Sequence, residues 1–279
     1  MLGGGSLASI SEVKVQKRHM FTKLTLISFF LISYIEIAYP AEKSPPILLG
    51  VSLQIRPEYD GSRSTNMGLI PVLTYSKDHW FARTTEGILE AGAKTVLVGN
   101  FYYGIQVAYE EGRDSHYSDF LKLHRVDNLD PSLSLGGFLQ YQNTIGSVPV
   151  DMLARYRKDI DISRGDQIDL RFTAGIFRSK DKKLNAEIFA QSTWANDKAL
   201  QNYYGITNQD AVTTGLSPFY PNGGNMSNEV GFWGSYNLNS HWMLMGNVEI
   251  HQLAGDAKHS PLTEVVYNNY FSLGVAYQY

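Results

Sequence analysis

The chain has 279 residues, with 24 Lys and Arg against 27 Asp and Glu, a formal charge of −3 and no cysteine. A disulfide framework, a thiolate metal site, a catalytic cysteine and a lipidated N-terminal cysteine are therefore excluded, and the charge balance lacks the clustered Lys and Arg that nucleic-acid binding requires. Mean hydropathy is −0.21 and no apolar run reaches the about 18 residues of a membrane-spanning helix, yet 13% of the residues are aromatic.

Leu24 to Ile35 form a mostly apolar stretch, preceded by Arg18 and Lys23 and followed by Ala38-Tyr39-Pro40-Ala41. It is too short to cross a bilayer and has the layout of a secretory signal peptide. The expected cut follows Ala41, although Glu36 and Tyr39 depart from the usual pattern. Met20 stands just before the charged turn, so residues 1–19 read as an extension upstream of the true start.

From Ile47 onward the dominant signal is a period of two, which strands sort into two faces and helices cannot. Leu49, Val51, Leu53 and Ile55 begin it. Phe101, Tyr103, Ile105, Val107 and Tyr109 alternate with Tyr102, Gly104, Gln106, Ala108 and Glu110. Leu133, Leu135, Gly137, Leu139 and Tyr141 alternate with Ser132, Ser134, Gly136, Phe138, Gln140 and Gln142. Val148, Val150, Met152, Ala154 and Tyr156 oppose Asp151, Arg155 and Arg157, with Leu153 breaking the polar side. Ile168, Leu170, Phe172, Ala174 and Ile176 oppose Gln167, Asp169, Arg171, Thr173 and Gly175. Trp242, Leu244, Gly246, Val248 and Ile250 face away from Asn247, Glu249 and His251. The closing segment sets Phe271, Leu273, Val275, Tyr277 and Tyr279 against Ser272, Gly274, Ala276 and Gln278.

A soluble antiparallel sandwich also alternates. These segments are longer than its usual strands of about 5–6 residues, and they match the about 9–11 residues a tilted strand needs to cross a bilayer. Their polar faces carry charges, Gly and Ser instead of a uniform solvated mixture. The sequence therefore predicts an all-β fold, a transmembrane antiparallel β-barrel of the bacterial outer membrane. Residues 1–41 are the extension and signal peptide, and 42–279 the single barrel domain.

Short turns alternate with longer connections, as in outer-membrane barrels. Ser76-Lys77-Asp78, Asn143 to Gly146, Ser179 to Lys183 and Asn237 to Ser240 are assigned to the periplasm. Arg56 to Asn66, Glu111 to Asp130, Asn196 to Ser227 and Ala254 to Val266 are assigned outside, with Asp159 to Gly165 joining them by parity. Direct counting gives eleven segments, whereas both ends in the periplasm require an even number. Turns at Glu86-Gly87 and Gly99-Asn100 would divide His79 to Glu110 into three strands and give twelve; ten is the alternative.

Several motifs between Ile47 and Tyr279 resemble the MipA/OmpV family of outer-membrane proteins. They are Pro57-Glu58-Tyr59-Asp60-Gly61-Ser62, Pro71-Val72-Leu73-Thr74-Tyr75, Tyr203-Tyr204-Gly205-Ile206, Thr214-Gly215-Leu216 to Tyr220, Pro221 and Gly223-Gly224. Gly255-Asp256-Ala257, Ser260-Pro261 and Gly274 to Tyr279 complete the set, with Tyr279 where Phe is commoner. The resemblance implies an outer-membrane barrel, inserted in outer-membrane lipid by the barrel-assembly machinery, which would read Phe271, Leu273, Val275, Tyr277 and Tyr279. It implies two roles that the motifs do not separate. One is a scaffold joining a lytic transglycosylase to a penicillin-binding murein synthase; the other is a porin-like channel or an adhesin.

No cofactor or metal is expected, because none of the seven His has ligand spacing. Asp256, His259 and Ser260 invite a hydrolase reading, but a nucleophile needs an adjacent oriented base, and this run beside Pro261 suits an Asx-type or proline turn better. Asp151, Arg155, Arg157, Asp169, Arg171, Glu187, Glu249 and His251 are expected to project into the lumen. There they either pair and fill it or form a charged constriction. The long outer loop, with Tyr203, Tyr204, Phe219 and Tyr220, is expected to plug the lumen, cap the mouth, meet a partner, or remain a mobile surface loop.

Overall fold

The computed structural model describes residues 47–85 and 88–279. The expected signal peptide, its cut and the start at Met20 lie outside the described residues. Twelve strands form a closed antiparallel barrel in which every strand pairs with its sequence neighbours and the last closes on the first. They are β1 (Leu48–Pro57), β2 (Thr65–Lys77), β3 (Trp80–Thr85), β4 (Ile88–Val98), β5 (Phe101–Glu110) and β6 (Ser132–Ile145). Then follow β7 (Val148–Asp159), β8 (Asp166–Arg178), β9 (Leu184–Ala195), β10 (Gly224–Asn237), β11 (Trp242–Leu253) and β12 (Tyr267–Gln278). The three strands expected between His79 and Glu110 are β3, β4 and β5.

The burial pattern is inverted relative to a water-soluble domain. On β8, Ile168, Leu170 and Phe172 are exposed while Asp169 between them is fully buried. The same inversion runs along β1, where Leu49, Val51, Leu53 and Ile55 are exposed and Ser52 and Gln54 buried. A charge facing lipid at mid-bilayer would cost about 2–4 kcal/mol. A slip of one residue would place Asp169 and Arg171 in lipid, so the hydrophobic alternation fixes the register.

The apparent exception Leu153 has a packing reason. It is buried inside the lumen with Phe81 and Phe138, whose rings meet edge to face at 5.7 Å. Phe138 lies against Gly104 of β5, where a Cβ would come within 2.4 Å of its ring. An apolar knot thus sits on the polar face, and glycine makes room for it.

One end of the barrel carries only short turns, of which Ser179 to Lys183 is among the longest. Asp181 orders that turn by accepting from Ser179 Oγ and, at 3.2 Å, from Lys183 N. At the other end, β9 and β10 are joined by α2 (Asp197–Tyr204) and α3 (Asn208–Thr214), and β5 and β6 by a connection containing α1 (Asp119–Leu123). Asn196 caps α2 by accepting from Ala199 N at 3.0 Å. Thr207 and Asp210 form a reciprocal capping box on α3. Caps set where these short helices begin; tertiary packing stabilises them.

That packing builds a cap over the barrel mouth. Tyr59, Leu121, Val126, Ile206 and Leu262 come from four different outer connections and bury together. A second cluster joins Ala199, Leu200 and Tyr204 of α2 to Ala195, Leu253 and Ala257. Polar ties fasten it: Tyr59 Oη donates to Leu262 O at 3.0 Å, and Asn268 bridges Gly61 N and Ser62 O at 2.7 and 2.8 Å.

Candidate functional site

The lumen holds the densest set of buried charges among the described residues. Neighbouring strands place Arg155 beside Asp169 and Arg157 beside Gln167 across β7 and β8. Asp169 accepts from Arg155 Nε at 2.8 Å, from Arg157 Nε at 3.0 Å and from Thr193 Oγ1 at 3.0 Å. Arg155 continues across the lumen to Glu90 of β4 at 3.0 Å, and Glu90 also accepts from Arg83 Nε at 2.5 Å. Arg157 reaches Glu110 of β5 at 2.6 and 2.7 Å, and Ser134 Oγ donates to the same carboxylate at 2.5 Å. Three arginines and three carboxylates therefore alternate in one chain, Arg83–Glu90–Arg155–Asp169–Arg157–Glu110, carried on β3, β4, β7, β8 and β5. Opposite charges at this spacing offset much of one another's desolvation.

Of the eight charged residues picked from the sequence, the structure brings Arg155, Arg157 and Asp169 into this network. Glu249 and His251 join a second cluster with Glu229, at 3.1 Å for His251 Nε2 to Glu249 and 3.8 Å for His251 Nδ1 to Glu229. Arg171 stands 3.8 Å over the Phe189 ring, which itself lies on Gly231, where a Cβ would approach it to 2.4 Å. Asp151 sits toward the short-turn end, accepting from Gln140 at 2.6 Å and Gln142 at 2.7 Å. Glu187 joins Arg171 and Glu249 on the wall of a 370 Å³ cavity. Arg83, Glu90, Glu110 and Glu229 complete the two clusters and are absent from the sequence-derived set. Glu110 lies on the polar face of a clear alternation, but Arg83 and Glu90 lie where the alternation is weak.

The long outer loop takes up the capping arrangement. Tyr204 is buried in the cap and Tyr203 half-buried beneath it, its carbonyl accepting from Arg113 Nη1 at 2.5 Å. Phe219 packs on the apolar cluster and pairs with Ile206 through two backbone bonds of 2.8 Å, while Tyr220 is exposed. Burial raises the phenol pKa of all three cap tyrosines, Tyr59, Tyr203 and Tyr204, that of Tyr203 to about 12.

Ser260 Oγ donates to Tyr204 O at 2.6 Å and accepts from Leu262 N at 3.0 Å, which fastens the last outer connection to α2. Asp256 accepts from Asn222 N at 2.9 Å and Nδ2 at 3.0 Å, which holds its carboxyl pKa below the usual range. Both hydrogen-bond sets are those of ordered connections.

On β12, Phe271 and Leu273 face outward with Tyr279 exposed at the end, while Ala276 is buried against the first strand. Gly50 of β1 gives Ala276 room, since a Cβ there would meet its backbone at 2.6 Å.

No curated protein matches the chain by sequence. Among solved structures it is similar to the COG4313 outer membrane channel from Pseudomonas putida F1, with a TM-score of 0.51 and 10% identity over 88% of this chain and 100% of that one. It is also similar to LpxR from Salmonella typhimurium, with a TM-score of 0.48 and 8% identity over 82% of this chain and 100% of that one. At these identities the first likeness shows the outer-membrane barrel fold and nothing of substrate. The family model described as MltA-interacting protein MipA matches residues 49–279, essentially the whole barrel. The chain therefore belongs to the MipA family of outer-membrane β-barrel proteins.

Proposed function

We propose that this protein is a non-enzymatic scaffold of the outer membrane, exported with a signal peptide that begins at Met20, downstream of an extension over residues 1–19, and is cut after Ala41. In this reading its short turns, on the periplasmic side, hold a lytic transglycosylase and a penicillin-binding murein synthase. The observation that carries the reading is the obstruction of the barrel: a buried ion network crosses the lumen and packed connections cover its mouth. A barrel obstructed in this way offers its turns for use more readily than its bore. Phe271, Leu273, Val275, Tyr277 and Tyr279 serve as the mark read by the barrel-assembly machinery.

The β8–β9 turn is the best-placed contact, with Lys180, Lys182 and Lys183 arranged around the ordered Asp181. Purified barrel is expected to retain a lytic transglycosylase and a murein synthase in a pull-down. A Lys180→Glu, Lys182→Glu, Lys183→Glu variant should lose that retention while its barrel stays folded. Failure of the unmodified barrel to retain either enzyme in several detergents removes the scaffold reading.

The 370 Å³ cavity beside Arg171 supports a second reading, a small porin-like channel. Steady conductance in planar bilayers, altered by Arg155→Ala or Arg171→Ala, would favour it over the scaffold. An adhesin role would place the binding surface on the exposed cap, at Tyr220.

A further inference from the structure

On the lumen side of β9, β10, β11, β12 and β1, one residue of each strand stands at the same level of the sheet. Glu187 pairs with Trp233, Trp233 with Asn247, Asn247 with Ser272 and Ser272 with Gln54. Their outward neighbours Ile188, Phe232, Val248, Phe271 and Leu53 are all exposed, so the alternation of the strands turns the paired set into the lumen. Five distant stretches of sequence thus build one belt, and every member of it lines the 370 Å³ cavity.

A carboxylate, an indole, a carboxamide, a hydroxyl and a second carboxamide follow one another along the belt. Its middle is held in place from within. Ser272 Oγ donates to Asn247 Oδ1, and Asn247 Nδ2 donates to Glu249, which lies 3.1 Å from His251 Nε2. The side chains of Glu187, Trp233 and Gln54 make no hydrogen bond or ion pair among the described residues.

One level nearer the short turns, Ser52 also lines the cavity. It is 3% exposed, and its Oγ has no hydrogen-bond partner among the described residues. Gly274, its neighbour on β12, keeps the wall open there, since a Cβ would come within 2.9 Å of that oxygen. Burying a hydroxyl without a partner is costly, and a polar guest in the cavity supplies the missing bond.

We infer that the belt is a binding site for a single neutral sugar ring, its apolar face on the Trp233 indole and its hydroxyls on Glu187, Gln54 and Ser52. The inference stands independently of the scaffold reading. Indole offers a flat apolar surface, while sugar hydroxyls donate to a carboxylate and both donate to and accept from a carboxamide or a hydroxyl. Arg171 and Glu187 set opposite charges on the cavity wall, which suits a neutral guest better than an ion. The volume lies at the small end of ligand sites, which fits one ring, not an extended oligosaccharide. The outer connections pack together at the mouth and the other end carries only short turns, so the guest enters from the short-turn end.

Trp233 reports on the site directly, because the other three tryptophans, Trp80, Trp194 and Trp242, are exposed on the outer face. The full barrel with Trp80→Phe, Trp194→Phe and Trp242→Phe, folded in detergent micelles, is titrated with D-glucose while Trp233 emission and its quenching by acrylamide are recorded. Glucose is expected to change the emission saturably and to shield Trp233 from acrylamide. Sorbitol, which carries its hydroxyls on an open chain without a ring face, should do so much more weakly. Ser52→Ala and Gln54→Leu should each weaken glucose binding by about fivefold, the loss of one hydrogen bond, while the barrel keeps its heat-modifiable mobility. The site is overturned if glucose leaves emission and quenching unchanged, or if neither substitution weakens its effect. Sorbitol as effective as glucose overturns the ring assignment. A choline response stronger than that of glucose and abolished by Glu187→Gln overturns the neutral guest in favour of an organic cation on the indole.

Discussion

Asp169 is fully buried and holds two arginines at once. Replacing it with alanine leaves Arg155 and Arg157 facing each other without the shared carboxylate. Breaking one side of such a buried pair costs about 3–5 kcal/mol, so Asp169→Ala is expected to lower the unfolding free energy by about that amount in urea titration of vesicle-embedded protein. Gln142→Ala, at the exposed short-turn end, should change it by no more than about 0.5 kcal/mol. Equal effects from the two substitutions would mean that the network carries no stability. The β7 and β8 members of this network are legible in the sequence, because large apolar residues alternate cleanly around Asp169 and Arg155. Arg83 and Glu90 are not, since β3 and β4 around them offer Ala91, Gly92, Ala93 and Thr84, whose small side chains give little contrast between the faces.

At the scale of elements, the strands follow from the period of two, but the cap does not. Its contacts join Tyr59 to Leu262 and Ser260 to Tyr204 across long stretches of sequence, and no local pattern encodes such pairings. The short β3 is legible, because the turn expected at Glu86-Gly87 leaves only His79 to Thr85 for it. The cap carries a pH dependence with a definite sign. Tyr59, Tyr203 and Tyr204 have raised phenol pKa values in the folded state, Tyr203 at about 12, against about 10 in the unfolded chain. The folded cap thus keeps protons that the unfolded one releases. Its stability is full below pH about 10 and falls as the pH rises toward 12. Phenolate absorbance should show a fraction of the tyrosines titrating late, and protease nicking within 196–223 should rise over the same range. Titration of every tyrosine near pH 10, with no change in nicking, would contradict the buried cap.

The whole molecule is an inside-out solution to burial. Apolar side chains face lipid around the wall while ionised groups satisfy one another within it, and residues of four outer connections pack together at the mouth. Twelve strands, the short-turn end and the outward aromatic face of β12 all follow from the sequence, because a closed sheet in lipid leaves the alternation one consistent register. The absence of cysteine allows the central claim to be tested one position at a time on β10. Nitroxide labels at Val230→Cys, Phe232→Cys and Tyr236→Cys should collide strongly with oxygen dissolved in the bilayer, and labels at Trp233→Cys and Ser235→Cys weakly. A profile without this alternation, or one of opposite phase, would contradict the barrel in which neighbouring side chains meet lipid and lumen in turn.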